Sequence, residues 1–411
     1  MQFLKLGTTA IATGLLATLT MTAAAPAFAQ KEPTVTRQVV GPLNEARTAI
    51  IAKDYATAKT KLDAAVAAAK TPYDNVMIEK MRVIMASDTK DTAQQIKSFE
   101  MMLGSGLLKP EEVKQYKGLI INAYNASGDT NKGNAALRDY LDAYGGTPQQ
   151  YTGLANGYLK ANDLANAETF GNKAIEGFKT AGTPIPEVNY MVLMRVHQQS
   201  KDMAKYYAVE EELALAYPKE DYWKELIAGR VQEASDYGPP VRLDMFRALQ
   251  AANLPLSVNE KRIAGDSAVK RALYNEAVQL LEEGVGNGQL SDPIDKENLD
   301  AAKKALPNDK AGLAKEATQA ESKKNGLALV NIGEAWLSHG DNAKAIELIQ
   351  KGISLGGVSG AELDLAKVHL GIAQLRSGQA DAARATWAEI TSNNAAGALA
   401  KNWILISKKA A

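Results

Sequence analysis

The sequence predicts an all-α protein, a right-handed superhelical solenoid of about ten antiparallel helix pairs. Three observations carry that expectation. Alanine supplies 69 of the 411 residues, about a sixth; it loses no side-chain entropy in a helix, and the β-branched and aromatic strand formers are few. Small residues stand at fixed distances before and after a series of turns. Those turns recur every 33 to 40 residues between Lys53 and Gly378, the range of stacked helical hairpins.

The N-terminal segment reads as an address and not as part of the fold. Lys5 is the sole charge in the first thirty residues, an apolar stretch runs from Leu6 to about Ala25, and Ala27-Phe28-Ala29 closes it. A charged start, an apolar run and a small-x-small end are what a signal peptidase reads. Residues 1–29 are therefore expected to be a signal peptide, cut between Ala29 and Gln30, which sends the protein to a periplasm or the exterior. The chain has no Cys, which excludes a lipid-anchored form, a disulfide, a thiolate metal site and a thiol nucleophile. No second apolar run approaches the roughly 18 residues of a membrane span. Residues 30–40 are expected to be a flexible leader.

The repeat is clearest from Leu327 to Ile353, around a turn at Gly340. Gly333 lies seven residues before it behind Ile332, Trp336 four before, and Ala345 five after, followed by Ile349 and Gly352. Around Gly378 the same offsets give Leu370, Gly371, Ala383, Trp387 and Ile390. Upstream they recur around Lys53 (Ala46, Ala58, Leu62, Ala65), Gly128 (Ile120, Tyr124, Leu137), Asn162 (Leu154, Ala155, Tyr158, Ala167), Lys201 (Leu193, Leu213, Pro218) and Ala272 (Gly265, Ala277, Leu281, Gly284). Weaker turns fit near Asp88, Tyr237 and Pro307. Small residues before and after a turn fall on facing sides of two antiparallel helices and let the backbones approach. Large residues at neighbouring offsets fill the space between one hairpin and the next. A single hairpin cannot bury its apolar face, so hairpins stack. The expected division is an N-terminal array over 41–220, an irregular helical segment over 221–320, and a C-terminal array over 321–411. Pro239-Pro240, Pro255, Pro293 and Pro307 interrupt the middle segment.

In Ile332-Gly333, Trp336, Ala345 and Pro218 the pattern resembles the tetratricopeptide repeat. It departs where Gly133 and Tyr206 replace the alanine after the turn, and where the spacing exceeds 34 residues.

Little here suggests chemistry. Lys+Arg and Asp+Glu are 47 each, so no basic surface marks a nucleic-acid partner. Gly352-Ile-Ser354-Leu-Gly356 matches the nucleophile-elbow string but lacks the strand that motif needs. Gly284-Val-Gly286-Asn-Gly288 reads as a helix stop and not as a phosphate loop. Asp292 to Asp300 lacks the central Gly and closing Glu of a calcium loop, and reads as a helix N-terminus. His197, His339 and His369 form no i, i+4 pair. Glu210-Glu211-Glu212 and Glu282-Glu283 fit solvated helix faces. No catalysis, cofactor or metal is expected.

The resemblance implies a scaffold that binds a protein or peptide partner in the cell envelope. In this repeat family the residue six before the turn points into the inner groove, which places Asn122, Asn156 and Arg195 there. Neighbouring inward offsets add Gln115, Asn125, Gln149 and Gln198. Amides can donate to and accept from an extended peptide backbone, and Arg195 offers a fork for a carboxylate. Val231 and Ile372 take the ladder offset in later copies, which confines the groove to 115–200. Two alternatives stand beside this reading. An envelope glycan or polymer binder would expose a run of aromatics, yet Tyr124, Tyr158 and Trp336 sit at core offsets. A helical hydrolase would place its chemistry near 221–320.

Overall fold

The computed structural model describes residues 33–409; the expected signal peptide over 1–29 and the first residues of the expected leader lie outside them. Among the described residues all regular structure is α-helical, twenty helices packed as consecutive pairs. The chain divides into two compact units after Tyr206.

In the first unit the paired helices are Arg37–Ile51 with Tyr55–Ala68, Pro72–Asp88 with Thr92–Gly104, Pro110–Ser127 with Thr130–Tyr144, and Pro148–Lys160 with Leu164–Thr180. Glu187–Gln199 follows, and Met203–Ala216 begins before the unit ends. One local device makes each turn. One or two residues past the first helix the backbone is left-handed: φ is +59° at Lys53, +81° at Gly128, +58° at Asn162 and +59° at Lys201. The next residue is an aspartate whose backbone N–H reaches back to a carbonyl five residues earlier, Asp54 to Ala49 and Asp163 to Tyr158, both at 2.9 Å. Its side chain then caps the second helix: Asp54 accepts from Thr57 N at 3.1 Å and Asp129 from Lys132 N at 3.0 Å. One residue thus satisfies orphan groups at the end of one helix and the start of the next.

The first helix begins at Arg37, so 37–40 are not leader. The cause is Asp74, which is fully buried and accepts from Thr36 N and Thr36 Oγ1, each at 2.7 Å. Burial opposes its ionisation, but these bonds and those from Lys70 and Thr71 hold the carboxyl well below the usual range. Val39 is buried as a result.

The second unit continues with Glu220–Gln232, Pro239–Ala251, Val258–Lys270 paired with Tyr274–Gly286, and Pro293–Ser322. The stretch 221–320 is helical, as expected. Pro239 and Pro293 open helices, where a missing N–H costs nothing. Pro307 lies inside Pro293–Ser322, so the turn expected there is absent, and the left-handed residue is Lys324, φ +51°. The weak turn near Asp88 falls at Lys90, φ +57°. Near Tyr237 the chain does pass between helices, without a left-handed residue. Gly326–Ser338 pairs with Asn342–Leu355 and Gly360–Arg376 with Ala380–Ala388. The last helix, Ala395–Lys409, returns to the first helices of the unit. Asn402 Nδ2 donates to the Ile227 carbonyl at 3.0 Å and Arg230 Nη1 donates to Asn402 Oδ1 at 3.2 Å. Trp403 stacks on Trp387 at 5.7 Å between centroids.

The repeat offsets place the residues as the spacing requires. The alanines five after the turns, Ala58, Ala167, Ala277, Ala345 and Ala383, are all fully buried. A Cβ on Gly333 would stand 2.6 Å from Ile349 Cγ1 and 3.2 Å from the Ala345 carbonyl oxygen on the facing helix. A Cβ on Gly371 would strike the Trp387 indole. Gly333→Leu and Gly371→Leu are each expected to cost roughly 1–3 kcal/mol by overpacking. Gly312→Leu, with nothing within 4 Å, is the control. Chemical denaturation should show lowered midpoints for the first two alone; an unmoved midpoint for either would refute the facing-helix placement.

Candidate functional site

Three helices of the first unit bring amides to one half-open cleft of about 340 Å³. Pro110–Ser127 supplies Asn122 and Asn125, Thr130–Tyr144 supplies Asn134, and Pro148–Lys160 supplies Asn156 with Lys160. Reciprocal caps set the start of the third helix: Thr147 N donates to Gln150 Oε1 at 2.9 Å and Gln150 N to Thr147 Oγ1 at 3.3 Å. Glycines open the space. A Cβ on Gly133 would lie 2.6 Å from Asn125 Oδ1, and one on Gly157 would collide with the Asn134 amide. Asn134 is only 7% exposed, and its Nδ2 is closed from solvent without a hydrogen-bond partner.

Of the residues chosen from the sequence, Asn122, Asn125 and Asn156 line this cleft together. Gln115 is half-buried on Pro110–Ser127 and Gln149 is exposed in the first turn of its helix; neither lines it. Arg195 and Gln198 lie outside it, exposed on Glu187–Gln199. There the spacing of 188, 191, 195 and 198 puts them on one helix face with Val188 and Met191, also exposed. Val231 and Ile372, which end the ladder, are fully buried core. Asn134, Gly157 and Lys160 were missed. The available signal was Gly133 at a position where other copies carry alanine: the missing methyl makes room for Asn125.

The second unit holds a different polar group, centred on buried Asp244, Arg247, Glu334 and His369. Arg247 donates from Nε and Nη2 to Glu276 at 2.8 and 2.5 Å, and from Nη1 to Asp244 at 2.6 Å and Glu334 at 2.9 Å. Arg271 pairs with Glu334, and His369 Nε2 lies 3.0 Å from Asp244 Oδ2. Burial opposes ionisation of Asp244 and Glu334, but His369, Arg247 and Arg271 overcome it and hold both carboxyls below their usual range. Sequence spacing had kept the histidines apart from any ligand set. The fold nevertheless gathers one ligand atom each from Asp244, Glu334 and His369 within 4.8 Å of one another. Arg247 Nη1 bridges those two carboxylates, so a guanidinium already supplies the positive charge that a cation would bring. The arrangement is an ionic lock between helices far apart in sequence.

The strings that resemble catalytic motifs are spent on helix ends. Ser354 Oγ donates to the Lys351 carbonyl at 2.9 Å. Gly288 is left-handed at φ +78° after the helix stops. Asp292 caps Pro293–Ser322 by accepting from Ile294 N at 3.1 Å. His339 pairs with Asp309 at 2.6 Å.

No protein-family model matches the sequence, and no curated relative matches it. Solved structures similar to this chain include Naa15/Naa10 bound to HypK-THB, at 15% identity over 88% of this chain and 60% of that one, TM-score 0.33. Others are the TPR2AB-domain complex of yeast Sti1 with pHSP90, at 12% identity over 72% and 99%, TM-score 0.25, and a tetratricopeptide repeat protein from Parabacteroides merdae, at 9% identity over 81% and 99%, TM-score 0.27. This chain spans 60% of the length of the Naa15/Naa10 chain it matches.

One glutamate departs from expectation. Glu210 does not sit on a solvated face: it is fully buried, and neither carboxyl oxygen has a partner. Burial, reinforced by the charge of Glu225, pushes its pKa up to about 8. The unfolded chain ionises near 4.5, so the folded state loses stability as pH rises from there to about 8, by up to ~1.4 kcal/mol per unit. Glu210→Gln should flatten that slope and raise the melting midpoint most at pH 8. Parallel profiles for the two proteins between pH 5 and pH 8 would refute the assignment.

Proposed function

We propose that the protein is an exported helical-repeat scaffold that holds an extended peptide or a protein partner along residues 115–200 and performs no chemistry of its own. The observation that carries this reading is the cleft in which Asn122, Asn125, Asn134 and Asn156 converge. Each amide both donates and accepts, so together they can follow a peptide backbone with little regard to side-chain identity. Arg195 and Gln198, exposed beside Val188 and Met191, extend the surface with one cation and an apolar strip. Such a mixture suits peptide side chains better than a polyanion. The Ala27-Phe28-Ala29 end of the N-terminal apolar stretch supports delivery to the envelope.

Two experiments test this reading. N-terminal sequencing of the exported protein should begin at Gln30 or within a residue or two; an intact Met1 product in the cytosol would overturn the address. Capture from envelope extract, followed by mass spectrometry, should identify partners of the wild type that are lost with the triple variant Asn122→Ala, Asn156→Ala, Arg195→Ala. The helical signal and melting midpoint should stay nearly unchanged, because all three side chains lie outside the apolar core. Undiminished capture by the triple variant would remove the groove.

A further inference from the structure

We infer that the exposed turn Asn287-Gly288 is a site of spontaneous deamidation, in which the backbone nitrogen of Gly288 displaces the side-chain amide of Asn287 as ammonia. The site lies in the second unit and is independent of the groove proposed in the first.

An asparagine followed by glycine is the pair most open to this reaction, because glycine has no side chain to shield its nitrogen or to restrict its φ and ψ. The sequence holds three such pairs, beginning at Asn156, Asn287 and Asn325, and the fold separates them. Gly157 lies inside Pro148–Lys160, where the helical ladder ties down its N–H and fixes the backbone on either side. Gly326 is buried, and a Cβ there would collide with the carbonyl oxygens of Gly352 and Gly356, so the chain has no room to turn. Asn287 stands past the end of Tyr274–Gly286, and Asn287, Gly288 and Gln289 are all exposed. Gly288 is left-handed at φ +78°, with nothing within 4 Å of where a Cβ would stand. Its N–H donates to the Val285 carbonyl at 3.3 Å, longer than an ordinary backbone bond.

The chemistry needs water alone. Gly288 N attacks Asn287 Cγ and an N–Cγ bond forms. The Cγ–Nδ2 bond then breaks, and ammonia leaves with the proton that Gly288 N carried. Water opens the resulting cyclic imide at either carbonyl. One opening gives aspartate; the other gives isoaspartate, in which the chain runs through the former side chain. Gln289 N donates to Asn287 Oδ1 at 3.0 Å, the oxygen on which charge gathers during attack. Asn325 has a matching bond from Ala328 N at 3.0 Å, so the freedom of the glycine is what separates the two pairs.

The products disturb what the turn holds. Leu290 is 3% exposed, its N donates to the Gly284 carbonyl at 2.8 Å, and it packs with Leu281 and Leu299. The turn therefore has a fixed span. Isoaspartate adds a backbone carbon to that span and pushes Leu290 from its seat. Aspartate keeps the span but places a negative charge at a helix C-terminus, four residues beyond Glu283, where the dipole and the like charge both oppose it.

The test ages the full-length protein at pH 8 and at pH 6, and peptide mapping under mildly acidic digestion follows each Asn-Gly pair. Asn287 should convert about tenfold or more faster than Asn156 or Asn325, the ratio given by a barrier difference of about 1.4 kcal/mol. Conversion should be faster at pH 8, because Gly288 N attacks after losing its proton. Global opening exposes all three pairs alike, so in urea their rates should converge. Asn287→Gln must close a larger ring, so it should stay unmodified and keep its melting midpoint on ageing while the wild type loses some of its own. Freshly made Asn287→Asp carries the charge alone and should melt above the aged wild type. Conversion at Asn287 that is absent, or no faster than at Asn156 or Asn325 in the folded protein, would overturn the site. An equal loss of midpoint in aged Asn287→Gln would overturn the consequence for Leu290.

Discussion

Everything in this fold depends on how closely two helix backbones can approach. Gly326 and Gly352 face each other across one hairpin so tightly that a Cβ on Gly352 would stand 2.5 Å from the Gly326 carbonyl oxygen. Backbone cannot rotate away as a side chain can, so this is the least forgiving kind of contact. Fully buried alanines at the matching offset of the other turns set the same separation with one methyl to spare. Close approach fixes the tilt of each pair. The tilt fixes which large residues, such as Tyr158, Trp336 and Trp387, project toward the next pair. Those residues form the apolar core of each unit because a lone hairpin leaves them in water.

The same rule explains why the second unit needs an internal charge cluster. Asp244, Arg247, Glu334 and His369 come from three helices whose facing sides meet inside the unit. An apolar set could fill that space, and replacing a buried ion pair by well-packed apolar groups is often neutral for stability. A matched cluster adds geometry: Arg247 reaches three carboxylates only when all of their helices are in register. Ala395–Lys409, pinned by Asn402 to Ile227 and Arg230, completes the unit by covering the helices that would otherwise end it.

What was legible in the sequence follows from what is local. A left-handed turn residue and small residues at fixed offsets are short-range features, and the strong turns at Lys53, Gly128, Asn162, Lys201, Ala272, Gly340 and Gly378 all carry positive φ. Of the weak ones, the turn at Pro307 failed for an equally local reason. Proline was read as an interruption, whereas Pro239 and Pro293 start helices and Pro307 is absorbed within one. The aspartate that follows six of the left-handed residues, from Asp54 to Asp341, was a regular signal left unread. Long-range burial was beyond reach. Nothing in Glu210-Glu211-Glu212 says which of the three points inward, and His369 meets Asp244 across 125 positions. In the cleft, the first-helix amides were found because the repeat offset names them. Asn134 lies on a second helix, where the offset rule expects packing.

The two polar interiors of the molecule therefore do opposite things. In the second unit each carboxylate of the cluster meets a guanidinium or an imidazole, and a fully paired network in a low-dielectric interior holds one arrangement and leaves nothing for a ligand to satisfy. In the first unit the small-residue rule is taken one step further: Gly133 replaces the alanine and Gly157 leaves the Asn134 amide unopposed, so the gap between hairpins ends in an unmet hydrogen bond. Such a group lowers the stability of the free protein. Structure is maintained where polarity is closed, and the groove proposed over 115–200 lies where it is left open.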